Sequence, residues 1–151
     1  MRKLSPESIH ALHMAMQNEL DTIQIYEHIL KHVNDSQARK LLHQLIVDEH
    51  SHEHKIKEQI ISGGGNVSKP EFDKDSDYPD RTQLLDIELD NYTITELVDL
   101  AIKNEQISRD FYRIQHKRMI NGDIKAVFKW LVEQEEIHIQ NLIEQYSRYL
   151  S

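Results

Sequence analysis

Apolar residues recur every three or four positions along four long stretches of this chain, the spacing of an amphipathic helix. The first stretch opens after Ser5, a good N-cap, with Pro6 at the first helical position, and runs to about Val33 on a stripe of Leu12, Ala15, Met16, Ile23 and Leu30. Asp35 caps the second, from about Ser36 to Ile61, whose stripe is Leu42, Leu45, Ile46, Ile56 and Ile60; Ser62-Gly63-Gly64-Gly65 then stops it. Thr93 and Glu96 have capping-box spacing and open the third, which carries Val98, Ala101 and Ile102 and ends at Asn121-Gly122. The fourth is predicted to be capped by Asp123 and to run from Ile124 to about Leu150, with Phe128, Leu131, Val132, Ile139 and Leu142 on one side. Residues 66–92, with Pro70, Pro79 and many Asp, read as a long connection with a short helix near Leu84–Ile87.

Short turns make the first and second helices antiparallel neighbours, and likewise the third and fourth. The long connection can return along a whole helix. The expectation is therefore an all-α fold, an antiparallel four-helix bundle with one long crossover between helices two and three, formed by residues 1–151 as a single domain. The chain also repeats: shifting by 86 places Glu19 on Glu105, Tyr26 on Tyr112, Leu45 on Leu131, Glu49 on Glu135 and His52 on His138. Two copies of a helix pair predict a pseudo-two-fold bundle with matching residues facing each other across its axis.

Composition narrows the chemistry. Four Gly and three Pro among 151 residues suit long helices, and 38% hydrophobic with 29% charged residues suits a folded domain rather than a disordered chain. A net charge of −8 argues against a nucleic-acid or anionic-membrane partner. No apolar run approaches the ~18 residues of a membrane span, and the first residues do not resemble a signal peptide, so a cytoplasmic location is expected. With no cysteine, disulfides, thiolate catalysis and Cys-ligated metals are excluded, and a metal site would draw on His, Asp, Glu and water.

Such residues stand on the apolar stripes. Helix two carries Glu49 and His52 and helix four carries Glu135 and His138, each pair three apart and so on one helix face. Helices one and three each contribute one glutamate, Glu19 and Glu105, 30 residues before the Glu of the motif that follows. Four carboxylates directed into a core are very costly without compensating positive charge. Two divalent ions would neutralise them, with two neutral imidazoles completing the shell. A single Glu-x-x-His carries little weight, and Glu7 with His10 is read as accidental; the combination of six residues is what points to a metal pair.

This pattern resembles the di-iron carboxylate proteins of the ferritin-like superfamily over nearly the whole chain, as a rubrerythrin-like protein without a rubredoxin domain and related to bacterioferritin. "ELDTIQIY", from Glu19 to Tyr26, resembles the first-helix motif of that superfamily. The resemblance implies two iron ions, with manganese or zinc suited to the same donors. Glu19 and Glu105 would be terminal ligands, Glu49 and Glu135 bridging ligands, and His52 and His138 one nitrogen ligand for each ion. Two places differ from the relatives: Ser108 stands where rubrerythrins have a further glutamate, and His50 where bacterioferritins have a haem-ligating methionine.

Around these six, Tyr26 and Tyr112 are expected to hydrogen-bond ligand carboxylates across the bundle. Asp48 directly before Glu49 resembles the Asp-Glu-x-x-His string of the ribonucleotide reductase small subunit, which implies an Asp that orients a histidine on another helix, with Gln134 as its counterpart. Arg109 is expected to reach solvent. His50, His54, Glu27, Glu53 and Glu136 are read as surface residues, and His10, His13, His28, His32, His43 and His116 as background. The implied function is oxidation of Fe(II) by hydrogen peroxide or dioxygen, with a separate electron donor and a homo-oligomer, a dimer rather than a cage. The alternative is a bundle that stores or binds iron without turnover.

Overall fold

The computed structural model describes residues 3–68 and 77–150. Residues 69–76 of the predicted connection, Pro70 among them, and Met1, Arg2 and Ser151 lie outside the described residues. Five helices follow one another: α1 Pro6–Leu30, α2 Ser36–Ser62, α3 Thr82–Leu85, α4 Ile94–Arg118 and α5 Gly122–Leu150. Among the described residues there is no strand. The four long helices are those of the apolar stripes, and α3 is the short helix of the crossover. None of the described helices is long and apolar enough to cross a membrane.

The caps explain most of the boundaries. Ser5 accepts from the Ser8 N–H with Pro6 in the first turn, Asp35 accepts from Ala38 N–H, and Thr93 and Glu96 exchange both bonds of a capping box. Gly63 ends α2, and Gly64 takes φ +87°, a conformation that only glycine adopts without strain. Several ends differ from expectation, among them α4, which stops at Arg118 rather than at Asn121-Gly122, and α3, which lies at Thr82–Leu85 rather than near Leu84–Ile87. Helix α1 stops at Leu30 rather than near Val33, because the chain turns to bury Val33, and Arg39 satisfies the Leu30 and Val33 carbonyls that the turn releases. Asn121, not Asp123, caps α5: its side chain accepts from the N–H groups of Asp123 and Ile124, and the helix starts at Gly122 rather than Ile124 in consequence.

α1 packs along α2, α4 along α5, and the pairs meet through α1 with α4 and α2 with α5. At 1.5 Å per residue the 27 residues of α2 span about 40 Å, and the described part of the crossover sets α3 against α1. The core has two apolar ends. One is built from Leu12, Met16, Ile56, Ile60, Tyr112 and Phe128, the other from Ile25, Ile29, Leu42, Leu45, Leu97 and Leu142. Between them lies a belt of buried polar residues: Asn18, Glu19 and Thr22 on α1; Glu49 and His52 on α2; Asn104, Glu105 and Ser108 on α4; Glu135 and His138 on α5.

Candidate metal centre

Each of the six side chains picked out by spacing is brought into this belt, and each is at most 3% exposed. They form two overlapping groups whose nitrogen and oxygen atoms could reach a common ion: Glu19, Glu49, His52 and Glu135 in one, Glu105, Glu49, His138 and Glu135 in the other. Glu49 and Glu135 belong to both. The Glu49 carboxylate faces each imidazole with a different oxygen, Oε2 at 3.5 Å from His52 Nδ1 and Oε1 at 3.1 Å from His138 Nδ1. Glu135 Oε1 lies 3.5 Å from His52 Nδ1 and 3.8 Å from His138 Nδ1. The two rings stack, with centroids 5.6 Å apart and planes 17° from parallel.

These contacts are close but poorly aligned as hydrogen bonds. Glu19 Oε2, Glu49 Oε1, Glu105 Oε2, both oxygens of Glu135 and both Nδ1 atoms are buried without a hydrogen-bond partner. Buried polar atoms in folded proteins are nearly always paired, so a cluster of orphans on one set of side chains marks a place shaped for something else. The donor set, carboxylate oxygen and imidazole nitrogen, fits a pair of divalent cations.

Charge in the metal-free cluster is shared out by protons. Burial, with Glu49 beside it, pushes the Glu19 carboxyl well above the ordinary range, and burial with Glu105 and Glu49 does the same for Glu135. Burial also opposes the charge on Glu49, but the close approach of Glu19, His138 and His52 outweighs it and holds Glu49 well below that range. Burial likewise opposes charge on the imidazoles. The carboxylates outweigh it, Glu19 and Glu49 raising His52 to about 10, Glu105 and Glu49 raising His138 to about 11. Without metal, the imidazoles are therefore cations.

The surrounding residues hold the ligand groups in place. Tyr112 OH donates to Glu19 Oε1 at 2.6 Å and Tyr26 OH donates to Glu105 Oε1, each from the other half of the repeat. In both glutamates this occupies Oε1 and leaves Oε2 bare. Asp48, itself held by Gln44, lies 3.1 Å from His138 Nε2; accepting a hydrogen bond from that N–H would leave Nδ1 as the nitrogen free to coordinate once its own proton is lost. Its counterpart does not act alike: among the described residues no hydrogen bond joins Gln134 to His52, whose ring instead meets the edge of Trp130 at 5.1 Å. Arg109 pairs with its neighbour Asp110 and does not touch the cluster. His50 and His54 are exposed and pair with Glu53 and Glu58.

Four buried polar residues around the centre, Asn18, Thr22, Asn104 and Arg81, do not stand out in the sequence, and Ser108 stands out only as a departure from rubrerythrins. Asn18 and Asn104, and likewise Thr22 and Ser108, obey the 86-residue shift, with Thr22 and Ser108 hydroxyls 3.4 Å apart, so the repeat held a usable signal. Arg81, in the crossover, follows no periodicity, yet it is 3% exposed and donates to Ser108 Oγ at 2.6 Å.

Comparison with known proteins agrees with this geometry. The rubrerythrin family model matches residues 96–150, which is nearly all of α4 and α5. Among solved structures, a bacterioferritin from Rhodobacter capsulatus, described with a metal-free dinuclear site and haem iron, is 23% identical with a TM-score of 0.72 over 97% of this chain and 88% of its own. A ferritin-like di-iron carboxylate protein from Bacillus anthracis is 17% identical with a TM-score of 0.68 over 95% and 99%. A spore coat protein candidate from Bacillus halodurans is 13% identical with a TM-score of 0.77 over 98% and 91%. No curated protein matches the chain. The fold is that of the ferritin-like superfamily. Residues 96–150 are similar to rubrerythrin, and the buried carboxylate and histidine cluster could hold metal ions.

Proposed function

We propose that this protein binds two iron ions at the centre of its bundle and couples Fe(II) oxidation to reduction of hydrogen peroxide, with dioxygen as the second oxidant. The observation that carries this reading is the pair of overlapping ligand groups that share Glu49 and Glu135. When bound, two ferrous ions supply the two electrons that, with two protons, convert one hydrogen peroxide to two waters.

The chain's own residues do the rest. Glu49 and Glu135 would serve both positions, while Glu19 with His52 and Glu105 with His138 would complete one position each. Tyr112 and Tyr26 orient the outer carboxylates. Burial, with Glu19 beside Tyr112 and Glu105 beside Tyr26, raises both phenols well above their ordinary range, so they hold their protons at Glu19 Oε1 and Glu105 Oε1. The apolar ends of the core, closed by Phe128 and Ile60 on one side and Leu45 and Leu97 on the other, keep bulk water from the cluster. Carboxylates in such a place can change their mode of coordination at small cost, which suits two oxidation states.

Anaerobic loading with Fe(II), followed by one equivalent of hydrogen peroxide or of dioxygen, tests the proposal. Iron oxidation should be faster with peroxide, and one peroxide should be consumed per ion pair. Two ions bound without oxidation by either would instead assign a storage or metal-binding role. Sedimentation of the loaded protein separates the proposed dimer from a cage.

A further inference from the structure

The two halves of the bundle repeat each other, but their hydrogen-bond networks do not. On one side a continuous chain runs to a ligand glutamate. Arg81 Nη2 donates to Ser108 Oγ at 2.6 Å, Asn18 Nδ2 donates to the same oxygen at 3.2 Å and to Tyr112 OH at 2.9 Å, and Tyr112 OH donates to Glu19 Oε1 at 2.6 Å. On the other side the counterpart chain stops short. Tyr26 reaches Glu105, but Asn104, the repeat partner of Asn18, leaves both of its side-chain polar atoms without a hydrogen-bond partner, and among the described residues no cation follows.

Arg81 is the residue that breaks the symmetry, because it comes from the crossover and that segment has no copy in the repeat. Its guanidinium is buried, holds one hydrogen bond, and leaves Nε and Nη1 without hydrogen-bond partners. A buried cation so poorly satisfied costs stability rather than adding it, so packing alone is a weak reason for its place. Its one bond fixes Ser108, and Ser108 anchors the Asn18 amide. The amide then occupies the Tyr112 oxygen, which leaves the Tyr112 proton directed at Glu19. We propose that Arg81 is a positioning residue for Glu19, acting through Ser108, Asn18 and Tyr112, and that it makes the two metal positions inequivalent. This rests on the reading of the six residues as a two-ion site.

Stepwise anaerobic titration with Co(II), whose absorption reports coordination, tests it. The wild type should take up two ions per chain in two resolvable steps. In Arg81→Gln one step should weaken by about tenfold, the scale on which residues behind a ligand affect metal binding, and the other should stay. Asp48→Ala should weaken the other step. Arg81→Lys, which can still donate to Ser108, should recover most of the loss. The sign separates positioning from simple charge: removing a cation would by itself tighten cation binding, so tighter uptake by Arg81→Gln overturns the proposal. So does an unchanged titration, or an equal loss at both steps. Ser108→Ala breaks the same link with Arg81 intact and carries the test if Arg81→Gln does not fold, as melting of the metal-free variants will show. A wild type that takes up no pair overturns the two-ion reading itself, whereas two ions bound with Arg81→Gln titrating like the wild type overturns the role of Arg81 alone.

Discussion

Adding a divalent ion to the metal-free protein at pH 7 should expel protons from the centre of the bundle, and the structure sets their number. His52, raised to about 10, and His138, raised to about 11, are both charged at that pH. Neither Nδ1 can bind metal until its proton leaves, so filling both positions releases two protons from the histidines. Glu19 and Glu135, raised by burial and by neighbouring carboxylates, supply up to two more. The expected release is between two and four protons per chain. With at least two displaced, the overall constant for binding the pair should rise roughly a hundredfold between pH 6 and pH 7. The sign for the metal-free fold is opposite. All four groups have raised folded values, so the stability they contribute is fully present below their unfolded values. It is lost progressively as pH rises from the unfolded values through the folded ones, for the histidines from about 6.5 until about 10 for His52 and about 11 for His138. Calorimetry in two buffers of different ionisation enthalpy counts the protons directly. Two ions bound with fewer than one proton released would show neutral imidazoles and refute the charge distribution described here.

Other substitutions follow from the same geometry. Glu49→Ala or Glu135→Ala should abolish binding of a pair, because each serves both positions, whereas His50→Ala and His54→Ala should leave bound metal per chain unchanged. Tyr112→Phe removes the hydrogen on Glu19 Oε1 and should destabilise the metal-free protein by about 1–3 kcal/mol in thermal or urea unfolding. Phe128→Ala, at a fully buried position in one apolar end, should cost about 3–5 kcal/mol in the same assay. Fe(II) should raise the melting temperature more at pH 8 than at pH 6, since it competes with protons for the same atoms.

The helices and the six cluster residues were legible because both follow the helical period. Glu19, Glu49, Glu105 and Glu135 stand out since a carboxylate on an apolar stripe needs a reason, and the repeat supplied each with a partner. The tyrosine bonds were readable for the same cause, Tyr26 and Tyr112 being two turns from Glu19 and Glu105 on one stripe. Long-range asymmetry was not readable. Asp48 and Gln134 occupy matching places, but only Asp48 lies within bonding distance of the histidine opposite, while Trp130 takes the corresponding place beside His52. Nothing local in the acidic crossover distinguishes Arg81, whose burial is decided by how the connection lies across α1 and α4. The start of α5 differs by two residues because Asn121 and Asp123 are both good caps, and tertiary placement chose between them.

Anomalous diffraction from crystals of the protein loaded anaerobically with Fe(II) tests the central claim most directly. The prediction is two peaks at the iron edge, about 3.5–4 Å apart, with Glu49 and Glu135 each reaching both, Glu19 and His52 on one and Glu105 and His138 on the other. A single peak, or peaks at the surface with the six side chains still unliganded, would contradict it.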